Sequence, residues 1–207
     1  MDNNIRQQWM NIMNPKRLKP NLEHISLYIT LYEMLEDNIV QKPRDYYTLI
    51  DEINQAEYSA KVLGLYDPDR CPLIRKSSKT LISSLLWWNS AGAISDEDIE
   101  VFSHCKERRN ALTHEMFKVI IEGLDDGFYE DFKKMYSLFC KIERWWILEY
   151  EVPLNPDFDN TDQKIEEKDV MSCNMAVLSL IMDIADTGSN ELYLDACKKL
   201  GIEIEDS

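Results

Sequence analysis

Glycine and proline are scarce in this chain, 6 and 7 of 207 residues, against a hydrophobic content of 44%. That balance suits a compact, helix-rich globule of one domain with an appendage, long enough to bury a core. No apolar run approaches the length needed to span a bilayer, which excludes a helical membrane protein. The first residues carry neither a charged n-region nor an apolar h-region, so a cytoplasmic location is expected. The five cysteines (Cys71, Cys105, Cys140, Cys173, Cys197) are odd in number and widely spaced, with no C-x-x-C pair. A disulfide framework is thereby unattractive, and buried free thiols are expected. His104, Cys105 and His114 find no further ligand at usable helical spacing, so neither a metal nor any other cofactor is expected. Positive charge is short as well. A net charge of −15 excludes a protein that coats nucleic acid without specificity. Finally, no stretch alternates with period two for long enough to make a strand.

What is present is helical periodicity. Ile25, Tyr28, Tyr32, Leu35 and Ile39 keep spacings of three and four, predicting a helix over 21–41, capped by Asn21 and stopped by Pro43. Leu49, Ile53, Ala56, Ala60 and Leu63 predict a second over 46–63, ended by Gly64. Leu81, Leu85 and Trp88 mark a third over 74–90. Ser95 followed by three acids predicts a fourth helix from 95 to 122, with acids in its first turn against the dipole. Phe132, Met135, Phe139, Ile142 and Trp146 mark a fifth over 128–151, closed by Pro153. The fold expected is an all-α, up-and-down helical bundle with a C-terminal helical appendage. The domain plan is a basic N-terminal arm over 1–20, the bundle over 21–151, an acidic linker over 152–168 and a helical hairpin over 169–207, built from helices near 169–185 and 190–200, packing on the bundle. The tryptophan pairs 87–88 and 145–146 are expected to face core on one side and groove or interface on the other.

Charge is uneven. Eight carboxylates lie between Glu149 and Asp169 against only Lys164 and Lys168, whereas Arg70, Arg75, Lys76, Lys79, Lys106, Arg108 and Arg109 gather mid-chain. An acidic total therefore leaves room for a local anion site. Within the basic region lies Arg109-Asn110-Ala111-Leu112-Thr113-His114. Its polar and titratable groups are of the kind that bind a phosphate and move a proton. Arg109 also falls on the apolar stripe Ile99, Phe102, Cys105, Leu112, Met116 and Val119, where a guanidinium must be paired, reach solvent, or face a ligand or partner.

The run Arg109-Asn110…His114 resembles the R-polar-x-x-x-H motif of the HEPN superfamily, small all-helical proteins of prokaryotic defence and toxin–antitoxin systems. The resemblance covers 95–123 firmly and 21–151 more loosely. It implies a HEPN-like bundle and a metal-independent endoribonuclease that acts as a homodimer on RNA, with Arg109, Asn110 and His114 catalytic. Some members of the superfamily are non-catalytic. Lys106, Arg108 and Lys118 are the neighbouring candidates for RNA contact. An antitoxin or regulatory protein would be a further partner, and no membrane is involved. Some family toxins carry a tyrosine two residues after the histidine, modified by a partner nucleotidyltransferase. Here that position is Met116, which has no hydroxyl to modify.

At 100° per residue, Arg109 and His114 stand about 140° apart on a straight helix. Either the helix is irregular near the motif or two copies meet across a two-fold axis, which is the family precedent. His114 would serve as general base or acid, Arg109 would stabilise charge on the phosphorane, and Asn110 would orient His114 or the phosphate. The bland alternative is an ion pair of Arg109 with Glu107 or Glu115 and a half-buried packing role for His114. The rival function is a non-catalytic helical module that holds a partner protein. His24 and His104 are read as packing or surface residues.

Overall fold

A computed structural model describes residues 3–48, 55–156 and 165–187, with the single positions 195 and 198. Among these residues all regular structure is helical, and the protein is an all-α bundle, as the periodicity predicts. Its α-helices are α1 (Asn3–Met13), α2 (Pro15–Thr48), α3 (Gln55–Lys61), α4 (Lys79–Ser90), α5 (Asp96–His114), α6 (Met116–Glu122), α7 (Gly127–Trp146), α8 (Val152–Leu154) and α9 (Cys173–Thr187). A π-helical stretch, Ile147–Glu151, joins α7 to α8, so the chain stays helical through Pro153, one turn beyond the expected stop. The linker positions 157–164 and the expected helix over 190–200, apart from 195 and 198, lie outside the described residues.

The bundle is organised around α2, which packs on α1, α3, α4, α5, α6, α7 and α9. Its stripe Ile25, Tyr28, Leu31, Tyr32, Leu35 and Ile39 is wholly buried. This helix is longer than predicted at both ends, and each extension has a local cause. Asn14 accepts a hydrogen bond at Oδ1 from the Lys16 N–H at 3.0 Å, with Pro15 at the first helical position, so the helix begins before Asn21. At the other end, Pro43 lacks the N–H that would reach the Ile39 carbonyl. The Trp88 indole N–H donates to that carbonyl instead, at 3.0 Å, and the helix runs on to Thr48.

Residues 3–14 are not a free arm. Asn11 is buried and donates from Nδ2 to the Ile121 carbonyl at 2.9 Å, fastening α1 to α6. Gly123 ends α6 at φ +85°, and a Cβ there would lie 3.1 Å from the Asn11 amide nitrogen, so this position needs glycine for both reasons. At the far end of the bundle Trp87, Trp88 and Trp146 are buried beside the partly buried Trp145, Tyr47 and Tyr150. Their rings meet edge-on or tilted, and the Trp87 indole donates to the Tyr47 hydroxyl at 3.2 Å. The C-terminal helix α9 lays Met175 and Leu178 into the core and leaves Val177 and Ile181 exposed. Among the described residues no helix is long and apolar enough to cross a membrane.

Candidate functional site

The motif is positioned by α5. This helix starts with a capping box: Ser95 Oγ accepts from the Asp98 N–H at 3.2 Å, and Asp98 Oδ2 accepts from the Ser95 N–H at 2.8 Å. Asp98 also receives Lys141 from α7. Burial alone would raise the Asp98 carboxyl, but the hydrogen bonds from Lys141 and Ser95 outweigh it and hold the group below its ordinary range. With its start fixed, α5 buries Ile99, Phe102, Cys105 and Leu112 between α2 and α7.

Arg109 occupies the same stripe and turns onto α2. Its guanidinium carbon lies 4.9 Å from the centre of the Tyr32 ring, Nη2 is ion-paired to Glu33, and Nη1 donates to Asn110 Oδ1 at 3.1 Å. Nε is buried and has no protein acceptor. The partner is thus a carboxylate of another helix, not Glu107 or Glu115. One turn back, Lys106 Nζ lies 3.1 Å from both Tyr32 Oη and Glu36 Oε2, and the Tyr32 hydroxyl donates to Glu36. Burial, reinforced by that hydrogen bond, pushes the Tyr32 phenol far above its usual range, so it remains a neutral donor. Phe102 stacks behind Tyr32 at 5.7 Å.

Tyr32, Glu33 and Glu36 belong to this site, and sequence reasoning placed only Tyr32, as a core residue. Glu33 is 76 positions from Arg109. An acid on the polar flank of an amphipathic helix carries no local mark of such a role, so no signal in the chain could have found it.

His114 is the last residue of α5 and is exposed. Glu115, at φ −115° and ψ 22°, breaks the helix before α6 begins, where a single helix to 122 was expected. The break falls one residue after His114. Since α5 is helical through both Arg109 and His114, their separation of about 140° around the axis stands within one copy of the chain. Asn110 is half-buried beside Arg109. Of the neighbouring basic residues, Lys106 is held by Glu36 as described. Arg108 is committed to Asp131 and to both oxygens of Asp125, at 2.7 and 3.3 Å. Lys118 is exposed and paired with Glu115 at 3.2 Å. His104 is exposed, 3.9 Å from Glu107, and the His24 ring meets the Pro20 carbonyl at 2.7 Å and Tyr129 edge-on at 5.3 Å.

Beside the motif lies an open cleft of about 790 Å³, in the range of ligand sites. The 72–78 turn forms one wall, and Glu36, Lys106, Glu107 and Asn110 form the other. After His114 the chain enters α6, which packs on α1, and this pair leaves large apolar side chains in solvent: Phe117 is 75% exposed, Met13 70% and Trp9 55%. Among the described residues no three His, Cys, Asp or Glu side chains gather as a metal-ligand set. Burial raises the Cys105 thiol to about 11, so it is a packing group and not a nucleophile. In comparisons with protein-family models, curated proteins and solved structures, the chain matches none.

Proposed function

We propose that the chain is a HEPN-like, metal-independent endoribonuclease that works as a homodimer. The observation that carries this reading is the state of Arg109 and His114. Arg109 is fixed by Tyr32 and Glu33 with a buried Nε that has no protein acceptor, His114 is displayed at a helix end, and the two face different ways on one helix. A second copy, brought in by the exposed Phe117 three residues after His114, would supply the missing half of each site. The prokaryotic defence or toxin–antitoxin setting comes with the resemblance, and Met116 excludes neutralisation through a modified residue at that position.

In this mechanism a ribose 2′-OH attacks the adjacent phosphorus. One His114 takes the 2′ proton, and the partner's His114 gives a proton to the departing 5′ oxygen as the P–O5′ bond breaks. Arg109, whose side chain is 24% exposed, neutralises the phosphorane oxygens through its guanidinium N–H groups. Asn110, bonded to Arg109, orients the phosphate. Products carry a 2′,3′-cyclic phosphate and a 5′-hydroxyl. The deciding experiment is cleavage of single-stranded and structured RNA by purified protein in EDTA. His114→Ala should lower the rate by about 10²–10⁴ and Arg109→Ala by about 10²–10³, with Asn110→Ala milder. Sedimentation should give twice the 24.4 kDa chain mass. Cleavage that requires a divalent metal would end the mechanism, and a monomer that cleaves would end the two-copy site.

Two observations favour a second reading, a non-catalytic module that holds a partner protein. Glu33 already neutralises Arg109, and the chain as a whole carries a charge of −15. RNA left uncut under broad conditions would favour it.

A further inference from the structure

The cleft beside the motif has a built wall. Asp67 accepts the Asp69 N–H at 3.1 Å and caps a 3₁₀ turn, Pro68–Arg70, which leads into a second, Pro72–Ile74. Cys71 and Ile74 are buried and anchor the segment, while the Ser77 N–H closes onto the Ile74 carbonyl at 2.8 Å. Arg70 ties the turn to its surroundings through Asn89 Oδ1 at 2.9 Å and Asp96 Oδ1 at 2.8 Å. Two prolines and these bonds hold the turn in one shape, so the side chains it projects are presented at little entropic cost on binding. Those side chains are Arg75, Lys76 and Ser77.

The charges are laid out for an anion. Arg75 and Lys76 face Lys106 across the cleft, against Glu36 and Glu107. Glu36 is neutralised in place by Lys106 and the Tyr32 hydroxyl. Arg75 has an exposed pair with Asp69 at 2.8 Å, of the kind that contributes little and is readily exchanged. Lys76 is exposed and makes no ion pair among the described residues. In a chain of net charge −15, the lining gathers three cations, of which Lys106 is held by Glu36, Arg75 has only the exposed Asp69, and Lys76 has no ion pair among the described residues. The cleft also has a direction. Its α5 wall includes Asn110, the acceptor for Arg109, so a linear ligand lying along the turn would pass onto the motif.

We propose that this cleft is the entry track for the RNA strand: Arg75, Lys76 and Ser77 hold a backbone phosphate outside the motif and hand the next phosphodiester to Asn110 and Arg109. The inference rests on the ribonuclease reading for its ligand, but binding and cleavage can be separated. The probe is a fluorescein-labelled single-stranded RNA of about ten to twenty nucleotides, titrated by anisotropy into full-length His114→Ala protein, whose substitution lies outside the cleft. Arg75→Ala/Lys76→Ala in that background should weaken binding about tenfold or more and reduce the slope of log Kd against log salt by about one to two. Lys134→Ala, an exposed lysine of α7, serves as the control and should change neither.

The same double substitution in otherwise wild-type protein should raise KM and spare kcat. If the double variant binds no worse than the Lys134→Ala control, the track is overturned, even if the protein proves to be a nuclease. If it does bind worse while wild type never cuts RNA, the cleft stands and the ribonuclease reading falls. Adenosine monophosphate and inorganic phosphate are the competing probes. A mononucleotide that binds as tightly as the oligonucleotide would make the occupant a free nucleotide and overturn the strand track.

Discussion

Glu143 and Arg109 are both charged residues placed on apolar helix faces, and the protein treats them in opposite ways. Glu143, on α7, is only 2% exposed, and Lys42 and Asn38 of α2 reach the same carboxylate oxygen at 3.0 and 2.8 Å. Lys42 is also 5.0 Å from the Trp146 ring centre, sealing the pair beneath the aromatic cluster. Arg109 has one carboxylate partner, is 24% exposed, and keeps a buried N–H without a protein acceptor. The first charge is closed and therefore structural. The second is only partly covered and adjoins Asn110, which lines the cleft, and this is why the candidate site is placed there. The aromatic end of the bundle consumes its own polar groups, whereas the motif end presents them.

If that contrast holds, the largest losses of stability belong to the closed end. Trp88→Ala removes a fully buried ring and the donor to the Ile39 carbonyl left open by Pro43, and should destabilise by about 3–5 kcal/mol in urea unfolding. A loss under 1 kcal/mol would mean that the α2 extension does not depend on this contact. Next, Lys42→Met leaves the Glu143 carboxylate buried with only Asn38 beside it, and should cost about 3 kcal/mol at neutral pH.

At the open end the order of effects reverses. Arg109→Ala should cost only about 1 kcal/mol, from a half-exposed pair and a contact over Tyr32, and under the proposed ribonuclease function it should also remove most RNA cleavage. His114→Ala should leave stability within about 0.5 kcal/mol, since the side chain is exposed. Calorimetry on both variants beside their cleavage rates tests the distinction. Equal stability losses for Lys42→Met and Arg109→Ala would erase it.

The smallest effect concerns pH. The hydrogen bond from Arg108 holds the Asp125 carboxyl below its usual range. A lowered folded value contributes stability above the unfolded value, near 3.9, that is lost as pH falls through the folded one. Asp125→Asn should therefore narrow the gap in melting temperature between pH 6 and pH 3, whereas wild type falls more steeply.

Much of the bundle could be read from the chain. The three-and-four spacing of α2 and the Ser95 cap of α5 are local features, and the structure has both. The motif residues were legible as types, and so was the conflict of an arginine on an apolar stripe. What local reading missed was decided by remote partners. Asn11 binds a carbonyl 110 positions away and makes a helix out of an expected arm.

The sequence by itself determined an all-helical chain with an Arg-Asn…His run on one helix, because periodicity and capping act within a few residues of themselves. Only the tertiary structure decided which faces close. Trp88 takes the Ile39 carbonyl left open by Pro43 from 49 positions away, Glu33 takes the Arg109 guanidinium, and the 72–78 turn meets α5 to form the cleft. A side chain's partner across a bundle depends on how helices pack, and helical periodicity repeats too regularly to specify which acid on which helix will be there.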